Sequence, residues 1–290
     1  MKIEFVVFIV LSAFLHAFYN FLMRRSGGSR VFVAGIFIVG AIVGAATALG
    51  TGALDGIPWK YVPFVYSAAF FYTLYQVFVS RAYENGDISK YYPLTVLSPA
   101  LIPLWAFLFL GEHISFLTLC GIFISIFGAL IVEFSRVSFS DFKKMFKLDK
   151  SNRSVRYAFA ASFVYSIGAV LDKSGIVYFK LAAYMAILLI SMVLNLVFYF
   201  TFIKKEPMVP YFMKYWKAVV LGGIVVFFSF LTFRVALKLV PVHIAVPIRQ
   251  VAIVFAILFG VIFLKEKLRP SNWIGSLLII IGVVLVSISK

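Results

Sequence analysis

The 290-residue chain has one cysteine, three histidines and 11 acidic residues, and charged side chains make up only 13% of it. Each shortage excludes something. A lone Cys120 cannot close an intramolecular disulfide or build a cysteine-based metal site, and in its apolar stretch it reads as a small buried hydrophobe. His16, His113 and His243 lie in three separate segments, so there is no His-Glu-x-x-His signature, and no Gly-x-x-x-x-Gly-Lys loop is present to hold ATP. No cofactor, bound metal or catalytic residue is therefore expected. A soluble globular chain carries about a quarter charged residues, and this one is too poor in charge to cover a surface in water.

What is abundant is apolar. Hydrophobic residues make up 63%, with 34 Phe, and the mean hydropathy is +1.04. An integral membrane protein follows. The 27 Lys and Arg against 11 Asp and Glu give a net charge of +16. These basic residues fall almost entirely between apolar runs, which points to contact with anionic lipid headgroups. A nucleic-acid binder would need a soluble basic face with stacking groups, and no segment is long and polar enough to supply one. The first apolar run lacks a short basic leader and a small-residue cleavage site, so it is expected to be retained.

A helix needs about 20 residues to cross the hydrocarbon core, and continuous apolar runs without alternation mean helices rather than barrel strands. Ten spans are predicted: 4–22, 31–50, 61–82, 90–110, 115–134, 155–178, 182–203, 214–237, 243–264 and 272–288. Connections carry Gly, Pro or charge, as in Ser26-Gly27-Gly28 and Glu84-Asn85-Gly86-Asp87. The long polar stretch 135–154 divides the spans five and five. Its Phe139, Phe142, Phe146 and Leu148 between lysines suit either a helix on the membrane surface or a solvated linker.

Sliding the chain by 154 positions sets Ala82 on Ala236, Pro93 on Pro247, Glu112 on Glu266, Gly121 on Gly275 and Gly128 on Gly282. A shift of 149 sets Arg24 on Lys173 at the ends of spans 1 and 6. The chain thus reads as a duplicated five-helix unit: 1–135, a basic connecting segment 136–154, and 155–290. Five is odd, so the second copy crosses the membrane in the opposite sense. The expected fold class is an all-α integral membrane protein of ten transmembrane helices in two inverted five-helix repeats, an arrangement typical of secondary transporters.

The motif SAFLHAFYNFLMRRS in span 1, the blocks LWAFLFLGEHIS and ILFGVIFLKEKLRP, and the glycine-patterned CGIFISIFGALIVE and IGSLLIIIGVVLVS resemble the drug/metabolite transporter superfamily, specifically its ten-helix EamA type. The resemblance covers essentially the whole chain. It implies a multi-pass protein of the cell membrane that transports metabolites and is not an enzyme. One departure is Tyr19, where many members carry tryptophan. The family's termini are usually cytoplasmic. The basic residues argue otherwise, since nineteen follow odd-numbered spans and seven lie on the other side, which puts both termini outside.

An ionisable group at bilayer depth normally faces a cavity or a partner. Arg249, after Pro247 in span 9, is the leading candidate; its repeat mate is the neutral Thr95, and the mate of Gln250 is Val96. Arg249 either anchors a substrate carboxylate or phosphate through its fork or snorkels to the interface. His16, Tyr19 and Asn20 share a face of span 1. His16 suits proton coupling or substrate binding, or simply a bond to a neighbouring helix. Tyr75 and Gln76 with Tyr72 on span 3, Tyr165 on span 6 and Ser98 on span 4 complete the expected lining of a central cavity. Asp172 and Lys173 read as an interfacial pair, Glu112 and Glu266 as structural caps or pairs in equivalent loops, and Gly40 and Gly44 as close-packing positions. Pro93, Pro99, Pro103 and Pro247 suggest kinks in spans 4 and 9.

With no carboxylate near the centre of a span, export of lipophilic cations by a buried acid is disfavoured. A small anionic or zwitterionic solute is expected instead, such as an amino or organic acid, with membrane lipids as the other partner and proton or exchange coupling open. An exchanger of phosphorylated or nucleotide-linked solutes is the alternative, with Arg234 and Lys238 as the further basic residues, and an intramembrane lipid-modifying enzyme is a more distant one.

Overall fold

The structure, a computed structural model, describes residues 2–26, 30–83, 94, 97–134, 153–205 and 207–289, and these are helical with short connections. The helices are α1 Ile3–Arg25, α2 Arg30–Gly50, α3 Val62–Tyr83, α4 Ser98–Leu110, α5 Phe116–Phe134, α6 Arg153–Ile176, α7 Leu181–Phe198, α8 Met208–Leu237, α9 Val242–Ile248, α10 Ala252–Leu264 and α11 Pro270–Ile288. Span 9 supplies both α9 and α10. Among the described residues, eight segments are long and apolar enough to cross a membrane, and α4 and most of α5 form shorter apolar helices. Large apolar side chains face outward along several of them, including Phe107, Phe123, Phe127, Leu194 and Leu277. That surface is unfavourable in water and matches hydrocarbon.

Three boundaries differ from the expected spans. α6 begins at Arg153, two residues into the expected connecting segment, whose remaining residues 136–152 lie outside the described residues. α8 begins at Met208 rather than 214, bent at Tyr215 (φ −116°, ψ 21°). Beside the bend, the Lys214 and Lys217 ammonium groups lie 5.2 and 5.7 Å from the rings of Tyr215 and Trp216, the aromatic and basic pairing of a membrane interface. Finally, span 9 is helical from Val242 to Leu264 but not α throughout. The α-helix stops at Ile248 and Arg249–Val251 form a 3-10 turn before α10 resumes. Pro247 has no N–H to give to the preceding turn, and the chain tightens immediately after it. The corresponding stretch of span 4, with Pro93, Thr95 and Val96, lies outside the described residues.

The offset of 154 reappears in the helix bounds. It carries Ser98–Leu110 onto Ala252–Leu264 and Phe116–Phe134 onto Pro270–Ile288. Both α4 and α10 end on a left-handed residue, Gly111 (φ 63°) and Lys265 (φ 55°). In both, the next N–H, of Glu112 or Glu266, turns back 3.1 Å to a carbonyl of the last turn. α5 and α11 pack antiparallel, with Gly121 against Gly282 and Gly128 against Gly275. A methyl group on any of the four would lie 2.5–2.7 Å from the opposing carbonyl oxygen. Backbones approach this closely only because those side chains are absent.

Two large hydrophobic cores and two small clusters result among the described residues. One core joins residues of α1, α2, α3, α7 and α8 with Ile176 of α6 and Phe259 of α10, and the other joins α4, α5, α9, α10 and α11 with single turns of α1, α6 and α8. Tyr165 packs against both, and α8 contributes Phe230 to the first and Phe233 to the second. The seam between the cores therefore runs past the middle of α6 and the last third of α8.

Candidate functional site

The 3-10 turn in the ninth span delivers Arg249 to that seam. Its guanidinium carbon lies 4.7 Å from the Phe233 ring centroid and 5.9 Å from that of Phe230, one ring from each core. Its Nη2 is 3.3 Å from His16 Nδ1 and donates to Ser229 Oγ at 3.2 Å. Its Nε is buried and has no hydrogen-bond partner. No carboxylate among the described residues lies within salt-bridge distance of it. A half-buried guanidinium that meets only neutral acceptors is an unfavourable arrangement in an apolar surrounding.

α1 holds the other side. The hydroxyl of Tyr19 lies 2.7 Å from His16 Nδ1, with the rings edge to face. One turn earlier, Ser12 and Ser229 clasp α1 to α8 reciprocally, each hydroxyl donating to the other's carbonyl at 2.7 and 2.9 Å. Ser229 thus spends its proton on α1 and keeps a lone pair for Arg249. Tyr75 and Tyr165 stack edge to face at 5.1 Å, within electrostatic reach of Tyr19, and Tyr165 also touches Tyr72 at 5.5 Å.

The expected site residues are therefore only partly assembled. His16, Tyr19 and Arg249 meet directly, with Tyr75 and Tyr165 beside them. Asn20 donates to the carbonyl of His16 on its own helix at 2.9 Å, a local bond. Gln76 and the buried Ser98, at the start of α4, take no part in the bonds that join the group. Gln250 departs furthest from expectation. It is buried and accepts a hydrogen bond from Ser125 on α5 at 2.7 Å, since consecutive side chains of a helical turn project about 100–120° apart.

The reading of Asp172 as half of an interfacial pair is corrected. Asp172 is fully buried, and its partner is Arg234, with Arg234 Nη2 2.7 Å from Oδ2 and Nε 3.3 Å from Oδ1. Tyr72 donates to Oδ2 at 2.8 Å and Tyr184 to Oδ1 at 2.6 Å. Four helices, α3, α6, α7 and α8, thereby meet on one carboxylate. Lys173 turns away and donates to the carbonyls of Leu237, Lys238 and Val240, closing the C-terminus of α8. Asp172 and Arg234 both fall inside predicted spans, so an acid and a base within apolar runs were the available signal. Ser229, an ordinary serine in an apolar run, gave none.

In the loop after α4, Glu112 accepts the Val242 N–H at 3.0 Å and contacts His243 Nδ1 at 2.5 Å, fixing the start of α9. Burial alone would push the Glu112 carboxyl up, but the bonds from His243 and from the backbone of Val242 outweigh it and hold it below its ordinary range. Its counterpart Glu266 pairs with Arg24 at 2.8 Å on the surface.

Described residues that are helical, with a lipid-facing exterior and a polar cluster at a 3-10 turn between two cores, make up a multi-pass integral membrane protein. The profile of the EamA-like transporter family matches residues 4–134 and again 152–288. The chain belongs to that family. A relative from Sinorhizobium sp, described as "Uncharacterized transporter in cobO 3'region", is 36% identical over 73 residues, which are 25% of this chain; the match spans about half of that relative, 52% of its length. A solved structure described as "Crystal structure of protein" superposes with a TM-score of 0.79 over 99% of this chain and 98% of its own, at 19% identity, which speaks for the fold alone.

Proposed function

We propose that this protein is a secondary transporter that moves a small anionic or zwitterionic metabolite, such as an amino acid or organic acid, by alternating access through the seam between its two cores. The observation that carries this reading is Arg249. It sits at a 3-10 turn within span 9, its Nε has no hydrogen-bond partner, and among the described residues its hydrogen-bond and ring partners are a histidine, a serine and two phenyl rings. A solute carboxylate would supply the missing acceptor in bidentate form, and transporters built of two repeats bind their cargo where the repeats meet. Tyr19, Tyr75 and Tyr165 would line the site with apolar bodies and polar tips. Exchange of phosphorylated solutes is less well supported, since Arg234 is committed to Asp172 and Lys238 donates to the carbonyl of Phe179. The two sequence repeats would supply the two alternating halves. Counterflow of labelled amino and organic acids in proteoliposomes tests the reading. Saturable flux of at least one solute is expected, with loss in Arg249→Ala. Unchanged flux in both Arg249→Ala and His16→Ala would remove this site.

A further inference from the structure

Resting on that reading of Arg249, the hydrogen bonds around His16 carry a further step. A guanidinium has donors and no acceptor. At 3.3 Å from Arg249 Nη2, His16 Nδ1 must therefore be the acceptor, and the ring proton belongs on Nε2. The Tyr19 hydroxyl, 2.7 Å from the same nitrogen, then also donates to it. One lone pair thus serves two donors. A proton on Nδ1 would displace Arg249, make the Tyr19 hydroxyl turn and accept, and set a second positive charge beside the guanidinium. The empty site therefore disfavours protonated His16.

We propose that the protein co-transports a proton with its anion, with His16 Nδ1 as the proton site and Arg249 as the group that controls access to it. In the empty site, His16 stands in for the missing carboxylate by accepting from Arg249. An arriving carboxylate takes over the guanidinium and cancels its charge. Nδ1 is then left with the Tyr19 hydroxyl, which can turn and accept, and the imidazole takes a proton from the aqueous side that the site faces. The only bond formed is N–H, and the only bond broken is that of the donating hydronium or water. On the other side the anion leaves, Arg249 returns to Nδ1, and the proton is expelled. Binding linkage runs both ways, so the proton tightens the anion as the anion tightens the proton. A monocarboxylate would move with no net charge.

The surroundings leave Arg249 as the charge that matters. From α1 itself Tyr19 faces His16, and α8 supplies Ser229 and, further along, Arg234, whose charge Asp172 balances. α10 has no ionisable side chain in Ala252–Leu264. From α9, His243 is engaged by Glu112, and Tyr75 and Tyr165 on α3 and α6 add only hydroxyls.

Two measurements test the proposal. In liposomes loaded with a pH-sensitive dye, each labelled solute that gives counterflow should acidify the lumen as it is taken up, beyond the change in empty liposomes. His16→Gln should lose the acidification per solute taken up, whatever flux it retains, and Arg249→Ala should lose both uptake and acidification. Uptake with no lumenal pH change, or proton movement that survives His16→Gln, overturns the proposal while leaving the transporter reading intact. The second readout needs no solute. Nitrogen NMR of histidine-labelled protein in nanodiscs should show His16 neutral and protonated on Nε2 from pH 8 to 5.5, with Arg249→Gln allowing it to protonate within that interval. A proton on Nδ1 at pH 7, or a titration unmoved by Arg249→Gln, overturns the proposal even if no solute in the panel is carried.

Discussion

Arg234 and Arg249 both approach one ring, their guanidinium carbons 4.7 and 5.9 Å from the centroid of Phe230. They share a neighbour and differ in almost everything else. Arg234 is 2% exposed and has a carboxylate on two of its nitrogens, and that carboxylate is satisfied by two tyrosine hydroxyls. Arg249 meets neutral groups and leaves Nε unpaired. Burying either cation costs several kcal/mol unless a partner offsets it. Asp172 provides that offset within the protein and locks four helices together. At Arg249 the offset is missing, and a bound anion is the natural source of it. A matched buried charge holds structure, whereas an unmatched one in the same layer leaves a place for a ligand.

The largest effect should come from breaking the matched pair. Asp172→Ala or Arg234→Ala leaves an uncompensated charge among Tyr72, Tyr184 and Phe230, at a cost of about 3–5 kcal/mol. Thermal unfolding in detergent should register it as a large fall in Tm. Replacing both at once, as Asp172→Leu with Arg234→Met, should recover most of the loss, because no charge is then stranded. Single substitutions that cost less than about 1 kcal/mol would mean that the pair does not hold the helices.

The comparison is sharpened by giving Arg249 what Arg234 has. Ser229 Oγ is 3.2 Å from Nη2, so Ser229→Asp offers a carboxylate at the same place. Stability should stay level or rise by about 1–2 kcal/mol, while counterflow falls at least tenfold because the anchor is occupied from within. Ser229→Ala controls for the lost clasp to Ser12 and should transport better than Ser229→Asp. Equal flux in the two variants would mean that the charge of Arg249 is not what the solute meets.

How far this contrast could be read from the sequence depends on the kind of contact. The helices were legible because each is a continuous apolar run, and the offset of 154 found in the letters returns in the bounds of α4, α5, α10 and α11. Arg249 stood out as a cation among apolar residues, and His16 with Tyr19 as polar groups on one helical face. The Asp172–Arg234 bond was not legible, because it joins residues 62 apart in the chain near the ends of two helices, where charge usually signals water. Gln250 was grouped with Arg249 by adjacency, but consecutive residues of any helical turn project about 100–120° apart. One residue faces the seam and the next faces Ser125 on α5.

The smallest effect separates the two equivalent glutamates and extends the same rule to loops. Glu112 and His243 have side chains 11% and 3% exposed, whereas Glu266 and Arg24 are 35% and 52% exposed. Losing the first pair should therefore cost more. Glu112→Gln removes an ionic acceptor from the start of α9, for about 1–3 kcal/mol at neutral pH. Glu266→Gln should cost less than about 1 kcal/mol and less again at high salt. Because Glu112 is held below its ordinary range in the folded protein, its contribution is complete above the pKa of an unfolded carboxyl and is lost as pH falls through the folded value. The Tm difference between wild type and Glu112→Gln should accordingly shrink on acidification. A difference that stays constant into the acid range would assign the stability at this loop to packing around the side chain rather than to its charge.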